Sequence, residues 1–397
     1  MINMEDEVKL ENAGAAQIRL EQIQAKAEQY MPEAISLLQK FCDIDCGTGN
    51  IPGNTKVLEL VAGRLNHMGA QVEYKEAGIY GRHIVGRINP GNPNGKIILN
   101  AHLDTVFSEG DVLKYPFHIE GDEAYGLGSS DCKGGVVISL YSVQILKELG
   151  MLPDYEIVLL YNCDEELGSP SGRGLFAEEA GTARYVICFE PSREDDGILT
   201  YRQGSATAKI EAFGKQAHSA KFWEGVSASA GLVKVLSKLL DYNDDQTYLN
   251  FNIGPIEVPT SVTIMAPYAS ADISVRLNQY HSWEEIEAML MSLESSCPVA
   301  RCKIKVTTRV NFPIMERTEE NVSLFRHFSK AASVMGWDIP EQSTTGGGDA
   351  CYFSSLGIPT ICGMGSYTYG PHVHDERTLL SSIKKRICLT ASGVAGL

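Results

Sequence analysis

The chain has no apolar run long enough to cross a membrane, and cysteines and basic residues are both scarce. Its 397 residues include 10 cysteines, whereas a membrane-spanning helix needs roughly twenty consecutive apolar residues. Such sparse cysteines exclude a disulfide scaffold and predict reduced thiols in a cytoplasmic protein. Asp and Glu number 50 against 34 Lys and Arg, a formal net charge of −16. That balance argues against nucleic acid or a membrane surface as a partner.

Several catalytic motifs are also missing. No HExxH segment is present, which argues against a helix-borne single-zinc protease, and no GxSxG segment provides a serine nucleophile. The glycine-rich turns lack the GxGxxG pattern and a Walker lysine, so nucleotide binding has little support. Cys132, Cys163 and Cys188 lie beside acidic motifs. Neighbouring carboxylates would raise the pKa of a thiol, which disfavours a cysteine nucleophile.

The order of predicted elements indicates two domains, as the length also does. Strands alternating with helices before residue 204 are typical of a layered α/β domain. From Gly204 the predicted order becomes strand, helix, strand, strand, helix, strand, which is the ferredoxin-like βαββαβ pattern. The α/β alternation resumes after Phe312. We therefore predict a larger domain of residues 1–203 and 313–397, interrupted by an inserted domain of residues 204–312.

Apolar residues at helical spacing predict the long helices of the larger domain. Residues 16–42 carry this spacing, with Pro32 as the expected break between two helices. Residues 55–68 repeat the pattern before Gly69, a typical residue beyond a helix end. A further helix is predicted over residues 134–149.

Acidic and imidazole side chains gather where short apolar segments end. Six of them follow strand-like segments or lie in the turns between them: His102, Asp131, Glu165, Glu166, Glu190 and His372. Carboxylates brought together at strand ends repel one another or stay protonated unless a cation lies among them. One or two divalent metals are the simplest such cations. The sequence therefore predicts a metal-assisted enzyme.

A metal pair would supply what amide hydrolysis requires. A metal lowers the pKa of bound water from about 15.7 towards roughly 7 and polarises the carbonyl. Two metals about 3.5–4 Å apart need a bridging carboxylate and terminal ligands. A free carboxylate must also accept the proton of the water.

Five motifs, in order, resemble those of the di-zinc exopeptidases and deacylases that include glutamate carboxypeptidase, aminoacylase, acetylornithine deacetylase and peptidase T. They are His102-Leu103-Asp104-Thr105-Val106, Gly126 to Gly135, Asp164-Glu165-Glu166-x-Gly168-Ser169, Glu190-Pro191 and His372-x-x-Asp375-Glu376. The resemblance spans nearly the whole chain. It implies a zinc-exopeptidase-like α/β catalytic domain, with a mixed sheet flanked by helices, and an inserted ferredoxin-like domain that acts as lid and dimerisation domain.

The same resemblance implies a ligand set for two Zn²⁺ ions, with Co²⁺ or Mn²⁺ as substitutes. His102 and Glu190 would hold one ion, Glu166 and His372 would hold the other, and Asp131 would bridge them. His374 competes with its neighbour His372 for ligation. The His-x-x-Asp-Glu spacing favours His372, and the alternative stays open.

Catalytic roles are likewise implied by the resemblance. Glu165 would be the general base, and Asp104 would orient His102, as carboxylates commonly do for metal-bound imidazoles. His218 would reach the substrate carbonyl of the neighbouring subunit. The peptide bond between Asp131 and Cys132 is expected to be cis, as it commonly is in this family.

The resemblance places substrate contacts at Arg276, which would bind a carboxylate, and at the glycine-rich turn that contains Gly347 and Gly348. Three departures from the family pattern concern substrate fit. Residues 262–264 lack the usual asparagine, and Gly348 removes a hydroxyl that the family often has. Cys132 follows the bridging aspartate where the family often has an acidic residue or Met.

We predict metal-dependent hydrolysis of a peptide or N-acyl amide bond. A glutamate at position 190 resembles the carboxypeptidases and N-acyl-amino-acid hydrolases of the family. The aminopeptidases of the family usually have Asp at this position. Two alternatives remain open: a dipeptide or tripeptide aminopeptidase of the peptidase T type, and an inactive relative that binds metal or peptide. The intact Glu165 disfavours the second. The expected partners are a small peptide or N-acyl amino acid and a second copy of the chain, bound through residues 204–312.

Overall fold

The computed structural model describes residues 4–193 and 195–397, with side chains from residue 16 onward. The chain divides into two compact units. The larger unit contains Met1–Tyr201, Arg317–Ser343 and Gly348–Leu397, and the smaller one contains Arg202–Glu316 and Thr344–Gly347. Within the described residues, no helix is both long enough and apolar enough to cross a membrane.

The helices and strands are numbered separately in chain order. The helices are α1 (Met4–Cys42), α2 (Ile51–His67), α3 (Asp111–Lys114), α4 (Gly135–Glu148), α5 (Gly172–Ala180), α6 (Ala228–Leu240), α7 (Trp283–Ser292), α8 (Glu319–Val334), α9 (Asp349–Ser355) and α10 (Leu380–Val394). The strands are β1 (Gln71–Glu76), β2 (Arg82–Ile88), β3 (Lys96–His102), β4 (His118–Glu120), β5 (Glu123–Tyr125), β6 (Glu156–Asn162), β7 (Ala183–Cys188), β8 (Ile198–Arg202), β9 (Gly204–Phe213), β10 (Ala217–His218), β11 (Phe251–Glu257), β12 (Ile264–Met265), β13 (Tyr268–Leu277), β14 (Lys303–Phe312), β15 (Glu341–Thr344), β16 (Thr360–Ile361), β17 (Thr368–Tyr369) and β18 (Arg377–Leu379).

A mixed six-stranded sheet in the order β1-β2-β6-β3-β7-β16 forms the centre of the larger unit. Strands β6, β3, β7 and β16 are parallel to one another, whereas β2 pairs antiparallel with both β6 and β1. Every residue of β6 is buried, as expected for a strand with both faces covered. Helices α1, α4 and α10 pack together over one core, and α9 contacts both β7 and α5. The predicted α/β domain with a mixed sheet between helices is confirmed.

Helix α1 is one continuous helix that contains Pro32, so the predicted break at this proline is wrong. Proline removes one backbone hydrogen bond and crowds the preceding turn. The apolar stripe nevertheless continues across it, because Ala27 and Leu38 are both fully buried in the same core. Burial of this stripe against α4 and α10 offsets the local cost of the proline.

The smaller unit is built on an antiparallel sheet in the order β11-β13-β9-β14, with α6 and α7 as its helices. Residues of β9 and β13 alternate between buried and exposed, so one face of the sheet packs on the helices. This is the predicted ferredoxin-like βαββαβ arrangement. Its edges are β11 and β14. A short antiparallel pair, β10 with β12, was not predicted, and it sets His218 opposite Ile264.

Candidate metal centre

Parallel strands bring the predicted site residues to one edge of the larger sheet. His102 is the last residue of β3 and lies opposite Asn162, the last residue of β6. A short helical turn from Glu165 to Leu167 follows β6, and Glu190 comes two residues after β7. Because the carboxyl ends of parallel strands lie on the same side of a sheet, these groups converge there.

Asp131 lies between two imidazoles. Its Oδ1 is 3.1 Å from Nε2 of His102, and its Oδ2 is 3.3 Å from Nε2 of His372. Asp131 belongs to the tight turn Ser129–Gly134, between β5 and α4. The peptide bond from Asp131 to Cys132 is cis, which confirms that prediction. Each carboxylate oxygen therefore faces a different histidine.

The remaining candidates form two groups around these imidazoles. Glu166 Oε2 lies 3.2 Å from His372 Nε2, and Glu190 Oε1 lies 3.8 Å from His102 Nε2. Potential ligand atoms of Asp131, Glu166 and His372 all lie within 4.8 Å of one another. The same limit holds for His102, Glu165 and Glu190. The structure thus brings together all five predicted metal ligands and also the predicted base.

The donor set of this cluster fits a divalent metal pair. Imidazole nitrogens and carboxylate oxygens are the ligands that zinc, cobalt and manganese accept in proteins. Oε1 of Glu166 is buried and has no hydrogen-bond donor among the described residues. Leaving a buried acceptor unpaired costs about 1–3 kcal/mol, or more for a charged group. A cation at this position would satisfy it.

Crowding of like charges perturbs the protonation of these side chains. Burial, followed by the negative charge of Glu190, raises the pKa of Glu165 well above its ordinary value. Burial also raises the pKa of Glu166 to about 7. Hydrogen bonds to Asp131 and Glu166 raise the pKa of His372 to about 10. Bringing these carboxylates together out of water thus favours the protonated forms of the two glutamates and of His372.

Asp104 connects the end of β3 to the helical turn Glu165–Leu167. Its backbone carbonyl lies 3.0 Å from Nδ1 of His102, and its Oδ1 lies 3.4 Å from the same nitrogen. The carboxylate accepts the backbone N–H groups of Glu165 and Glu166 at 3.2 and 3.3 Å, and the hydroxyl of Thr48 at 2.6 Å. This fully buried residue therefore fixes both the imidazole and the two glutamates.

The two histidines of the C-terminal motif have different surroundings. His372 has a left-handed backbone, with φ of 66°, and contacts Asp131 and Glu166. His374 instead lies 3.6 Å from a carboxylate oxygen of Asp111 and stacks on Tyr115, with ring centroids 4.3 Å apart. Only His372 thus faces the cluster.

Sequence reasoning assigned no role to Glu376, although the residue belongs to a quoted motif. Its buried carboxylate accepts backbone N–H groups from Gly128, Ser130 and Asp131 and the hydroxyl of Ser130, all within 2.7–2.9 Å. The place of Glu376 in the His-x-x-Asp-Glu motif was the available signal.

Asp349 was also missed. This buried residue accepts a hydrogen bond from the hydroxyl of Ser169, and burial raises its pKa to about 7. It directly follows the glycine-rich turn, and the negative charge of Glu190 contributes to the raised pKa. An acid after a run of glycines was the available signal.

Three of the predicted substrate contacts belong to the smaller unit. His218 is exposed, and its Nδ1 accepts the backbone N–H of Ala220 at 3.1 Å. Arg276 is exposed on β13, opposite Ser205 of β9. A Cβ atom on Gly347 would lie 2.5 Å from the ring of Phe312, so this position requires glycine.

The remaining predicted substrate contact, Gly348, belongs to the larger unit, where it precedes α9. Its backbone is extended, with φ of 165°. The glycine-rich turn is therefore divided between the two units after Gly347.

Comparison with known proteins gives concordant matches. The sequence profile described as peptidase family M20/M25/M40 matches residues 98–394. Carboxypeptidase G2 of Pseudomonas sp. strain RS-16 is 32% identical over 377 residues, which cover 92% of this chain and 89% of that protein. A tripeptidase from Staphylococcus aureus has a TM-score of 0.75 at 20% identity and covers 92% of this chain and 99% of its own. A metallo-carboxypeptidase from Sulfolobus solfataricus has a TM-score of 0.75 at 16% identity, with coverage of 91% and 98%.

Proposed function

The chain belongs to peptidase family M20/M25/M40 and is a hydrolase of the metallo-exopeptidase and amidohydrolase class, and from this premise we propose that it is a two-zinc enzyme of the carboxypeptidase or N-acyl-amino-acid hydrolase type. Members of the family are metal-dependent and act on peptides or acylated amino acids. The observation that carries the proposal is the position of Asp131, whose two oxygens face two different imidazoles.

In this proposal Asp131 would contribute a ligand to both ions. His102 and Glu190 would hold one ion, and Glu166 and His372 would hold the other. The separations of 3.1 to 3.8 Å between these side chains support that division. When bound, the metal pair polarises the scissile carbonyl and lowers the pKa of the attacking water.

Glu165 is the proton carrier. Its carboxylate takes the proton of the attacking water and returns it to the leaving nitrogen. The raised pKa of Glu165 supports this role, because a base that must later act as an acid works best with a pKa near the working pH. Asp104 keeps His102 in orientation through the contacts at Nδ1.

The proposed substrate contacts are His218, Arg276 and Gly347 of the smaller unit and Gly348 of the larger unit. In neutral His218, Nδ1 accepts a backbone hydrogen bond, so the ring proton lies on Nε2 and can be donated to a developing oxyanion. The exposed guanidinium of Arg276 can bind a carboxylate through two parallel hydrogen bonds. Gly347 and Gly348 allow the substrate to approach the backbone closely.

Two further parts of the proposal concern the setting of the enzyme. We propose a homodimer through the smaller unit, which would let His218 serve the neighbouring site. We also propose a cytoplasmic location, supported by ten cysteines that are all free thiols in this structure.

A substrate panel tests the proposed function. The protein would be stripped with a chelator, reloaded with Zn²⁺, Co²⁺ or Mn²⁺, and assayed on N-acyl amino acids, dipeptides and their carboxyl-amidated counterparts. We expect activity only after reloading, two bound ions per chain, and a strong preference for the free carboxylate. Preference for a free amine, with tolerance of the amidated end, would instead identify an aminopeptidase. Two bound ions without hydrolysis of any amide would indicate an inactive relative.

A further inference from the structure

A cavity of about 660 Å³ lies beside Glu166 in the larger unit. One wall is the loop between α1 and α2, which includes Thr48 and Asn50. The other wall is the loop after β3, which includes Phe107 and Glu109. A volume of this size lies within the roughly 300–1,000 Å³ typical of small-molecule sites.

Hydrogen bonds fix both walls in place. The backbone N–H of Thr48 donates to the carbonyl of Thr105 at 3.0 Å, and that of Thr105 donates to Cys46 at 3.1 Å. A Cβ atom on Gly47 would lie 2.2 Å from the carbonyl oxygen of Phe107, so only glycine lets the loops approach this closely. Asp45 accepts the backbone N–H of Gly110 at 2.7 Å.

The wall also shares a residue with the metal centre. The hydroxyl of Thr48 donates to Asp104, whose carboxylate holds the backbone of Glu165 and Glu166. Part of an amide substrate at the metals could therefore extend into a preformed space.

All the charged side chains that line the cavity are acidic. Its described lining residues include Glu109 and Glu166 but no lysine, arginine or histidine. Glu166 is a proposed metal ligand, so its charge is shared with the cation. Glu109 is exposed and forms no hydrogen bond or ion pair among the described residues. Glu109 thus leaves an uncompensated negative charge at the wall.

The nearby N-terminus of α2 does not offset the negative charge of the cavity wall. Helix N-termini attract anions through free backbone N–H groups. Here the N–H of Gly53 donates to the side chain of Asn50, the N–H of Ile51 donates to Gly49, and Pro52 has none. The first turn of α2 therefore has little left to offer a carboxylate.

Apolar surface completes the lining. Val106 is 43% exposed and Leu167 is 54% exposed, and both face the cavity together with Phe107. Burying such side chains under a ligand releases about 25 cal/mol per Å². The cavity therefore suits a group with an apolar body.

We propose that this cavity receives the acyl group of the substrate and selects uncharged or cationic acyl groups over anionic ones, with Glu109 as the specificity-determining residue. The inference rests on the proposed function, in which the amino-acid part carries a free carboxylate. That carboxylate is repelled by Glu109, so the amino-acid part lies elsewhere and the acyl part enters the cavity.

A matched series of amides tests the selection. Hexanoyl, 6-aminohexanoyl and adipoyl derivatives of one amino acid have similar length and differ in the charge at the far end of the chain. We expect kcat/KM for the adipoyl amide to be at least about five-fold below that of the hexanoyl amide, because the like charges of Glu109 and the distal carboxylate repel each other. The 6-aminohexanoyl amide should equal or exceed the hexanoyl amide.

The Glu109→Gln variant identifies the source of the selection. It should narrow the ratio of kcat/KM between the 6-aminohexanoyl and adipoyl amides by about three- to ten-fold, and it should alter kcat/KM of the uncharged hexanoyl amide less than that of either charged amide. Glu109→Lys should invert the order. Glu59→Gln, on the exposed surface of α2, changes the net charge equally and should leave the ratio unaltered.

Equilibrium binding provides a readout without turnover. In a Glu165→Gln background, calorimetry should give the same order of affinities for the three amides. An enzyme that cleaves none of the amides overturns the proposed function and this inference with it. Cleavage without the charge order, or an order that survives Glu109→Gln, overturns the inference alone.

Discussion

Glu376 accepts the backbone N–H of Asp131 at 2.9 Å. Three further donors, the N–H groups of Gly128 and Ser130 and the hydroxyl of Ser130, point at the same buried carboxylate. Four donors on one side chain fix the backbone of the turn, and Asp131 can then direct its own oxygens to His102 and His372. The geometry of the proposed bridge thus depends on a residue that contacts neither imidazole.

Replacing Glu376 with Gln should weaken metal binding and lower the unfolding free energy. The amide retains one acceptor oxygen but turns an NH₂ group towards backbone donors, which leaves buried groups unpaired at a cost of about 1–3 kcal/mol. Chemical denaturation and metal titration would measure both effects. Asp375→Asn is the matched control, because Asp375 is 77% exposed, and it should change neither quantity.

Replacing Glu165 with Gln should separate turnover from metal binding. The substitution retains size and removes the proton acceptor, so kcat should fall by roughly two to four orders of magnitude. Metal content, measured by atomic emission after gel filtration, should stay at two ions per chain. Loss of an ion together with activity would make Glu165 a ligand, which its position within 4.8 Å of His102 and Glu190 makes worth testing.

The neighbouring histidines provide a paired test of the second metal position. His372→Ala should remove one ion and abolish activity, because His372 contacts both Asp131 and Glu166. His374→Ala should retain both ions, because that imidazole stacks on Tyr115 instead. The reverse pattern in a metal titration would reassign the ligand.

A buried ion-pair network far from the metal centre should control acid stability. Glu179 of α5 is 1% exposed and accepts hydrogen bonds from Arg87 and, at 2.9 Å, from Lys96. Burial alone would raise the pKa of Glu179, but these bonds lower it below its ordinary value of 4.5. Because the folded pKa is depressed, the stabilisation is present above pH 4.5 and is lost as the pH falls through the folded value.

Glu179→Gln should therefore lower the unfolding free energy at neutral pH by about 1–3 kcal/mol, since Arg87 and Lys96 lose a buried acceptor while Arg87 keeps Glu156 at 3.0 Å. The variant should also lose the acid dependence below pH 4.5 that this carboxylate gives the parent protein. Denaturant unfolding at several pH values would measure both. The neighbouring Glu178, which is 58% exposed and pairs with Lys75, provides Glu178→Gln as a control with an expected change below about 1 kcal/mol.

The sequence could predict those parts of the fold in which apolar residues recur with a clear period or in which strands and helices follow a recognisable order. The short apolar run of β6 and the alternation of β9 and β13 are patterns typical of strands. Pro32 misled because local rules treat proline as a break, whereas tertiary burial of α1 decides the outcome. The two-residue strands β10 and β12 have no period at all, so no pattern could indicate them.

The residues of the candidate site likewise divide into those that the sequence could locate and those that it could not. Residues at strand ends, such as His102 and Glu165, could be located because each follows an apolar segment. Glu376 and Asp349 act through hydrogen bonds to distant parts of the chain, and a sequence does not show which donors a buried carboxylate will meet. The roles of His218 and Arg276 rest on resemblance, and they stay predictions.

The proposed dimer allows a test of His218 in which two inactive proteins restore one another. The smaller unit exposes His218, with its Nδ1 held by the N–H of Ala220, so Nε2 is free to serve a carbonyl elsewhere. Strands β11 and β14 are sheet edges, and pairing across a two-fold axis would cover one edge in both copies. If His218 completes the site of the neighbouring subunit, His218→Ala and Glu165→Gln chains should each be nearly inactive alone.

Mixed under subunit exchange, the two variants should form heterodimers in which one of the two sites has both intact residues. When half of all dimers are heterodimers, activity should therefore approach about a quarter of the parent value. Activity that does not rise on mixing, in dimers verified by sedimentation, would place His218 in its own subunit's site, and a fully active monomer would exclude the shared site altogether.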